Sequence, residues 1–249
     1  MKIIIIGATS GLGKGLAEAL AAEGNTLGIA GRRTDALQTI ASAFPEGRIE
    51  TQTIDVTSPN ACSALDDLLR RTGAPDLFIY VSGIGFQNPE LEPEKELSTI
   101  RTNCEGMVRI VTHFVRYAAH NGAYDERNKA HIAVVTSVAA TAPLGAAPAY
   151  SASKCMQSSY VTALVQLSRM NHWPVRFTDI RPGFVRTALL SPDKRYPFTM
   201  TADAAVHHIL RGIRRHRRVV VFDWRYKVIT FFWKLIPRAI WERFTFVRN

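Results

Sequence analysis

The chain has 249 residues, 47% of them hydrophobic and 21% charged, with a formal net charge of +10. That length and apolar content suffice to bury a core, commonly as one α/β domain, and exclude a disordered or low-complexity chain. The three cysteines, Cys62, Cys104 and Cys155, are isolated and odd in number, which excludes a disulfide scaffold or zinc module and fits a reducing compartment.

The first apolar run, Ile3–Ile6, is too short for a signal-peptide core, and no run approaches the roughly 20 apolar residues that span a bilayer. The expected location is therefore cytoplasmic. The run leads into Gly7-Ala8-Thr9-Ser10-Gly11-Leu12-Gly13, after which Leu16, Ala17, Leu20 and Ala21 recur at helical spacing. This reads as strand, tight turn and helix. Glycines let the backbone approach a pyrophosphate, and the helix start offers free N–H groups and partial positive charge.

A second strand, Leu27–Ala30, is followed by Gly31-Arg32-Arg33. An NAD-binding turn usually carries an acid here for the ribose 2′-hydroxyl, whereas Arg accommodates a 2′-phosphate. NADP(H) is therefore the expected cofactor, with a solvated turn as the alternative for the two arginines; Asp35 reads as a helix cap or first-turn acid. Glu50–Ile54 is a weaker strand ahead of Asp55-Val56, and Leu77–Val81 precedes Ser82-Gly83.

Ser137 ends the run Ile132–Thr136. Tyr150 and Lys154 open the next helix, one turn apart, so both can face one site. A nearby ammonium favours the phenolate and is expected to draw the Tyr150 pKa toward the working range. Phe177–Ile180 turns at Pro182-Gly183, and Val219–Phe222 is the last strand. Residues 186–201, with Ser191, Pro192 and Pro197, suit a substrate-covering loop. The alternation of strands and helices predicts a doubly wound parallel sheet, with the site at the carboxyl ends of its strands.

Gly7-x-x-x-Gly11-x-Gly13, Asp55-Val56, Asn103, Ser137, Tyr150-x-x-x-Lys154 and Pro182-Gly183 followed by Thr187 occur in one order. In this the sequence resembles the short-chain dehydrogenase/reductase family, in its short single-domain branch. The resemblance implies a Rossmann-like fold with strand order 3-2-1-4-5-6-7 and a homodimer or homotetramer built on helices near residues 100–120 and 150–170. It implies a hydride transfer between NADP(H) and a ketone or secondary alcohol. Tyr150 would be general acid/base, Lys154 would hold the ribose, and Ser137 the carbonyl oxygen. Asn103 would position a water linking Lys154 to solvent. The implied cofactor contacts are Gly7, Thr9, Ser10, Gly11, Leu12, Gly13, Arg32, Arg33, Asp55, Val56, Ser82, Gly83, Tyr150, Lys154, Pro182, Gly183, Val185 and Thr187. Asp55 would meet the adenine, with a turn-capping role as the alternative, and Thr187 the carboxamide. Two departures are Ile6, where Thr is frequent, and Tyr80-Val81-Ser82-Gly83 in place of Asn-Asn-Ala-Gly. The alternative function is a catalytically idle dinucleotide-binding regulator.

Substrate recognition falls to residues 84–98, 138–149 and 186–201, where Phe86, Leu144, Phe184, Leu189 and Phe198 suggest an apolar pocket. After residue 210, eleven basic residues face only Asp223 and Glu242, so the tail carries +9 of the net +10. Residues 1–224 read as one oxidoreductase domain and 225–249 as a basic, amphipathic, aromatic-rich extension, broken at Pro237. It is expected to pack on the body or a second subunit, or to lie peripherally on the inner membrane face and serve a lipid-like substrate. Its apolar content argues against nucleic acid.

Overall fold

The computed structural model describes residues 1–187, 190 and 196–244. Seven strands form one parallel sheet in the order β3-β2-β1-β4-β5-β6-β7. They are β1 Lys2–Ile6, β2 Thr26–Gly31, β3 Ile49–Thr53, β4 Leu77–Tyr80, β5 Ala130–Val135, β6 Val175–Arg181 and β7 Val219–Val221. This is the strand order implied by the resemblance. Ile3–Ile6 is continuous in apolar character because both faces of β1 are covered. Ile4 and Ile6 enter one core with Phe78, Phe114 and Ile132, while Ile3 and Ile5 enter the other with Leu16, Leu27 and Ile209.

The helices are α1 Gly11–Ala22, α2 Thr34–Ser42, α3 Ala61–Thr72, α4 Pro93–Ile100, α5 Gly106–His120, α6 Pro148–Met170, α7 Ala202–Arg214, α8 Trp224–Leu235 and α9 Arg238–Trp241. A π-helical turn, Arg101–Glu105, joins α4 to α5; such bulges re-aim side chains and recur at functional sites. Asn103 sits within it.

Pro237 separates α8 from α9 as expected, standing at the N-cap. The extension is docked on the body through Tyr226 and Thr230, both buried. Among the described residues no helix is long and apolar enough to cross a membrane.

Candidate active site

β1 delivers the chain to Gly7, whose φ of +97° lies in the left-handed region that favours glycine. The Gly7 and Ala8 amides both donate to the Ala30 carbonyl, hanging the turn on β2. A Cβ on Gly13 would lie 2.0 Å from the Gly7 carbonyl oxygen, and one on Gly7 would lie 2.6 Å from the Ser82 nitrogen. Neither obstacle is a flexible side chain, so glycine is required at both positions. Ser10 is the N-cap of α1 in extended backbone, and its side chain makes no capping bond. The result is a bare cradle at a helix start, which fits a pyrophosphate.

The paired arginines divide. Arg33 donates to the Thr9 carbonyl and to Thr9 Oγ1, both at 3.0 Å, and so braces the glycine turn. Arg32 is exposed, and its charge acts on Asp55. Asp55 Oδ1 accepts from the Thr57 amide at 2.9 Å and from its hydroxyl at 2.7 Å, closing the turn after β3. Val56 is core, and its carbonyl accepts from Arg109.

Ser137 follows β5 and caps a short 3₁₀ turn, Val138–Ala140, its Oγ accepting from the Ala139 amide at 3.1 Å. The same hydroxyl lies near enough to the Tyr150 phenol to lower its pKa. Tyr150 is in the first turn of α6, whose start is fixed from α4: Glu96 accepts from the Ala149 amide with one oxygen and from the Asn88 carboxamide with the other. The Gly85 backbone lies on the Tyr150 ring, where a Cβ would stand 2.4 Å from Cδ2.

Lys154 is buried, with Nζ 5.7 Å from the centroid of the Tyr150 ring. It donates to Gln157 Oε1 at 3.0 Å and to the Val135 carbonyl at 3.4 Å. Gln157 Nε2 in turn donates to the Asn103 carbonyl at 2.8 Å. The fully buried Asn103 side chain staples the chain after β4 to α6: it accepts from the Ile84 amide and donates to the Ile84 carbonyl and Ser153 Oγ. Gly83 completes the floor, since a Cβ there would be 3.3 Å from both Lys154 Nζ and Asn103 Oδ1.

Desolvation raises the Tyr150 pKa, against the lowering effect of the nearby Ser137 hydroxyl. This corrects the expectation that Lys154 draws the phenol down: the ammonium stands over the ring face, and desolvation dominates. Burial likewise pulls Lys154 down to about 8, with the Asp179 carboxylate and Cys104 opposing. Asp179 on β6 is fully buried and accepts from Thr136 Oγ1, Ser158 Oγ and Arg181 Nε.

After β6 come Pro182, whose carbonyl accepts from the Val138 amide, and Gly183, which packs against the Tyr226 ring. Val185 pairs with Met200, while Phe184 and Arg186 exchange backbone hydrogen bonds with Met200. Residues 184–186 are thus tied to Met200. Thr187 lies beside Gly11. Leu189, Ser191 and Pro192 lie outside the described residues.

The expected catalytic residues converge at the carboxyl end of the sheet, together with three groups that motif spacing did not single out: Gln157, Glu96 and Asp179. Asp179 had a signal, a charge inside the apolar run Phe177–Ile180. Gln157 had a weaker one, its place three residues beyond Lys154 on the same helix.

The sequence matches the short chain dehydrogenase family over residues 1–196. It is 30% identical to an uncharacterized oxidoreductase of Myxococcus xanthus over 246 residues, covering 96% of this chain and 94% of that one. A short chain dehydrogenase from Burkholderia cenocepacia solved with NADP superposes with a TM-score of 0.80 at 21% identity, covering 98% of this chain and 97% of that one. A short chain dehydrogenase/reductase from Burkholderia phymatum solved with NAD superposes at 0.77 and 20% identity, covering 92% and 91%. At those identities the two structures show the fold alone. With the family match spanning most of its length, the chain belongs to the short-chain dehydrogenase family of oxidoreductases.

Proposed function

We propose that the protein is an NADP(H)-dependent oxidoreductase acting on a ketone or secondary alcohol, with Tyr150 as general acid/base. The observation that carries this reading is the Tyr150 phenol, its proton held by desolvation beside the Ser137 hydroxyl, with Lys154 Nζ over its ring. In reduction Tyr150 would donate its proton to the carbonyl oxygen while Ser137 Oγ–H stabilises the charge developing there. The nicotinamide, when bound, supplies the hydride. Lys154 and the Gly7–Gly13 cradle would hold the dinucleotide, with Arg32 open to a 2′-phosphate. Proteins of the same fold have been solved with either cofactor, NADP in the one from Burkholderia cenocepacia and NAD in the one from Burkholderia phymatum, so the choice of NADP(H) rests on Arg32.

The proposal includes an apolar substrate, with Phe86, Leu144, Phe184 and Phe198 as the side chains expected to meet it. A homodimer or homotetramer through α5 and α6 belongs to the same proposal; Leu167 and Met170 are exposed apolar residues of α6. The test is NADPH oxidation over a panel of ketones by the wild type and Tyr150→Phe. Turnover should fall about 10²–10⁴-fold in the variant while NADPH affinity stays near normal. Equal rates would remove Tyr150 from the chemistry, and tight NADPH binding with no turnover on any ketone would favour the idle regulator.

A further inference from the structure

The helix α8 is amphipathic in an inverted sense. Tyr226 and Thr230 face the body, whereas Trp224, Phe231, Phe232 and Leu235 are 71, 60, 58 and 63% exposed. With Val228, these residues fall within about 100° of arc on the outward side of the helix. Five contiguous large apolar side chains turned to water on one helix face mark an interaction surface. Lys227 and Lys234, seven residues apart, are both exposed along one flank of this stripe. Residues 224–244 hold five basic side chains and one acid, Glu242.

We infer that the outward face of α8 docks on an anionic lipid surface. The charge distribution selects this occupant. Two copies meeting symmetrically through α8 would press the same basic rim against itself, whereas anionic headgroups neutralise it. Aromatic and aliphatic side chains can enter the acyl boundary while lysines reach back to the headgroups along their apolar stems.

Docking through α8 would also set the position of the site. Tyr226 Oη donates to the Pro197 carbonyl, and Trp241 Nε1 to the Pro143 carbonyl, each at 2.7–2.8 Å. The extension thereby meets, at Pro143 and Pro197, two of the segments expected to border the substrate. If the oxidoreductase reading holds, an amphiphilic carbonyl compound could reach those segments from the lipid phase. Lipid binding itself does not depend on that reading.

The experiment is cosedimentation of the full chain at low salt with vesicles of phosphatidylcholine alone and of phosphatidylcholine with phosphatidylglycerol. It is run beside light scattering and a thermal melt, on wild type, Phe231→Ser/Phe232→Ser and Lys227→Glu/Lys234→Glu. The substituted side chains are exposed, so the melts should be unchanged. Wild type should sediment with the phosphatidylglycerol vesicles and be released by salt. The Phe pair should lose at least about tenfold in affinity, and the Lys pair a factor of about five for each basic contact removed. Wild type remaining in the supernatant would overturn the proposal. So would undiminished binding by the Phe pair, which would move the contact to another basic surface. A dimer that only the Phe pair dissociates, with no vesicle binding, would instead assign the face to a second copy.

Discussion

The Gln157 carboxamide stands between the Lys154 ammonium and the Asn103 backbone carbonyl, accepting from one at 3.0 Å and donating to the other at 2.8 Å. All three residues are buried. The resemblance implied that Asn103 positions a water linking Lys154 to solvent; the Asn103 carbonyl accepts from Gln157 with one lone pair and has a second to offer. A carboxamide neither takes up nor releases protons at working pH, so Gln157 is a positioning partner of Lys154 and not a proton relay.

Gln157 can be tested by opposite substitutions. Gln157→Leu removes the acceptor and should lower the Lys154 pKa further, moving the basic limb of kcat/KM for reduction to lower pH. Gln157→Glu places a carboxylate beside the ammonium and should move that limb to higher pH. Superimposable pH profiles for the wild type and both variants would reduce Gln157 to packing.

The wild-type pH dependence has a definite sign. Tyr150, raised by burial, remains a protonated acid through neutrality, whereas Lys154 titrates at about 8. Reduction requires both protons in place, so kcat/KM should be level below that value and fall as pH rises through it. A limb that rises with pH would contradict the assignment of both groups.

Cofactor selectivity should separate the two arginines. Arg32 is open while Arg33 holds Thr9. A hydrogen bond to a charged group is worth about 1.5–3 kcal/mol. Arg32→Glu should therefore weaken NADPH by about ten- to a hundredfold and leave NADH nearly unchanged. Arg33→Glu should weaken both by loosening the glycine turn. Fluorescence titration of each variant with each cofactor checks this, and equal losses for Arg32→Glu would end the 2′-phosphate assignment.

Legibility followed the locality of the signal. The run Ile3–Ile6 reads as a buried parallel strand because both its faces are covered. Tyr150 and Lys154 read as a pair because the helix itself brings i and i+4 together. Gln157 did not stand out, since a glutamine on a helix is ordinarily solvated. The π-helical turn at Asn103, contributed by a segment some fifty residues earlier, gives its amide nitrogen a buried acceptor. For Tyr150 the spacing disclosed the ammonium but not the desolvation of the phenol, so the sign of its pKa shift reversed. In α8 the apolar residues occupy nearly every direction, so periodicity could not say which face turns inward. Tyr226 decides it by packing on Gly183.

That contact yields a prediction about the domain boundary drawn at residue 224. Tyr226 is 5% exposed, its ring is edge-on to Phe198, and a Cβ on Gly183 would stand 2.1 Å from its Cε2. The ring thus fills the space beside the end of β6 and anchors α8 to the catalytic body. Truncating a buried aromatic to alanine costs about 3–5 kcal/mol, and in a domain of this size each kcal/mol moves Tm by about 2–4 °C. Tyr226→Ala should therefore lower Tm by roughly 6–20 °C, and Tyr226→Phe, which loses only the hydroxyl bond to Pro197, by much less. Deleting the chain after Trp224 should destabilise the body at least as much as Tyr226→Ala. A deletion variant that melts like the wild type would make the extension a separate appendage.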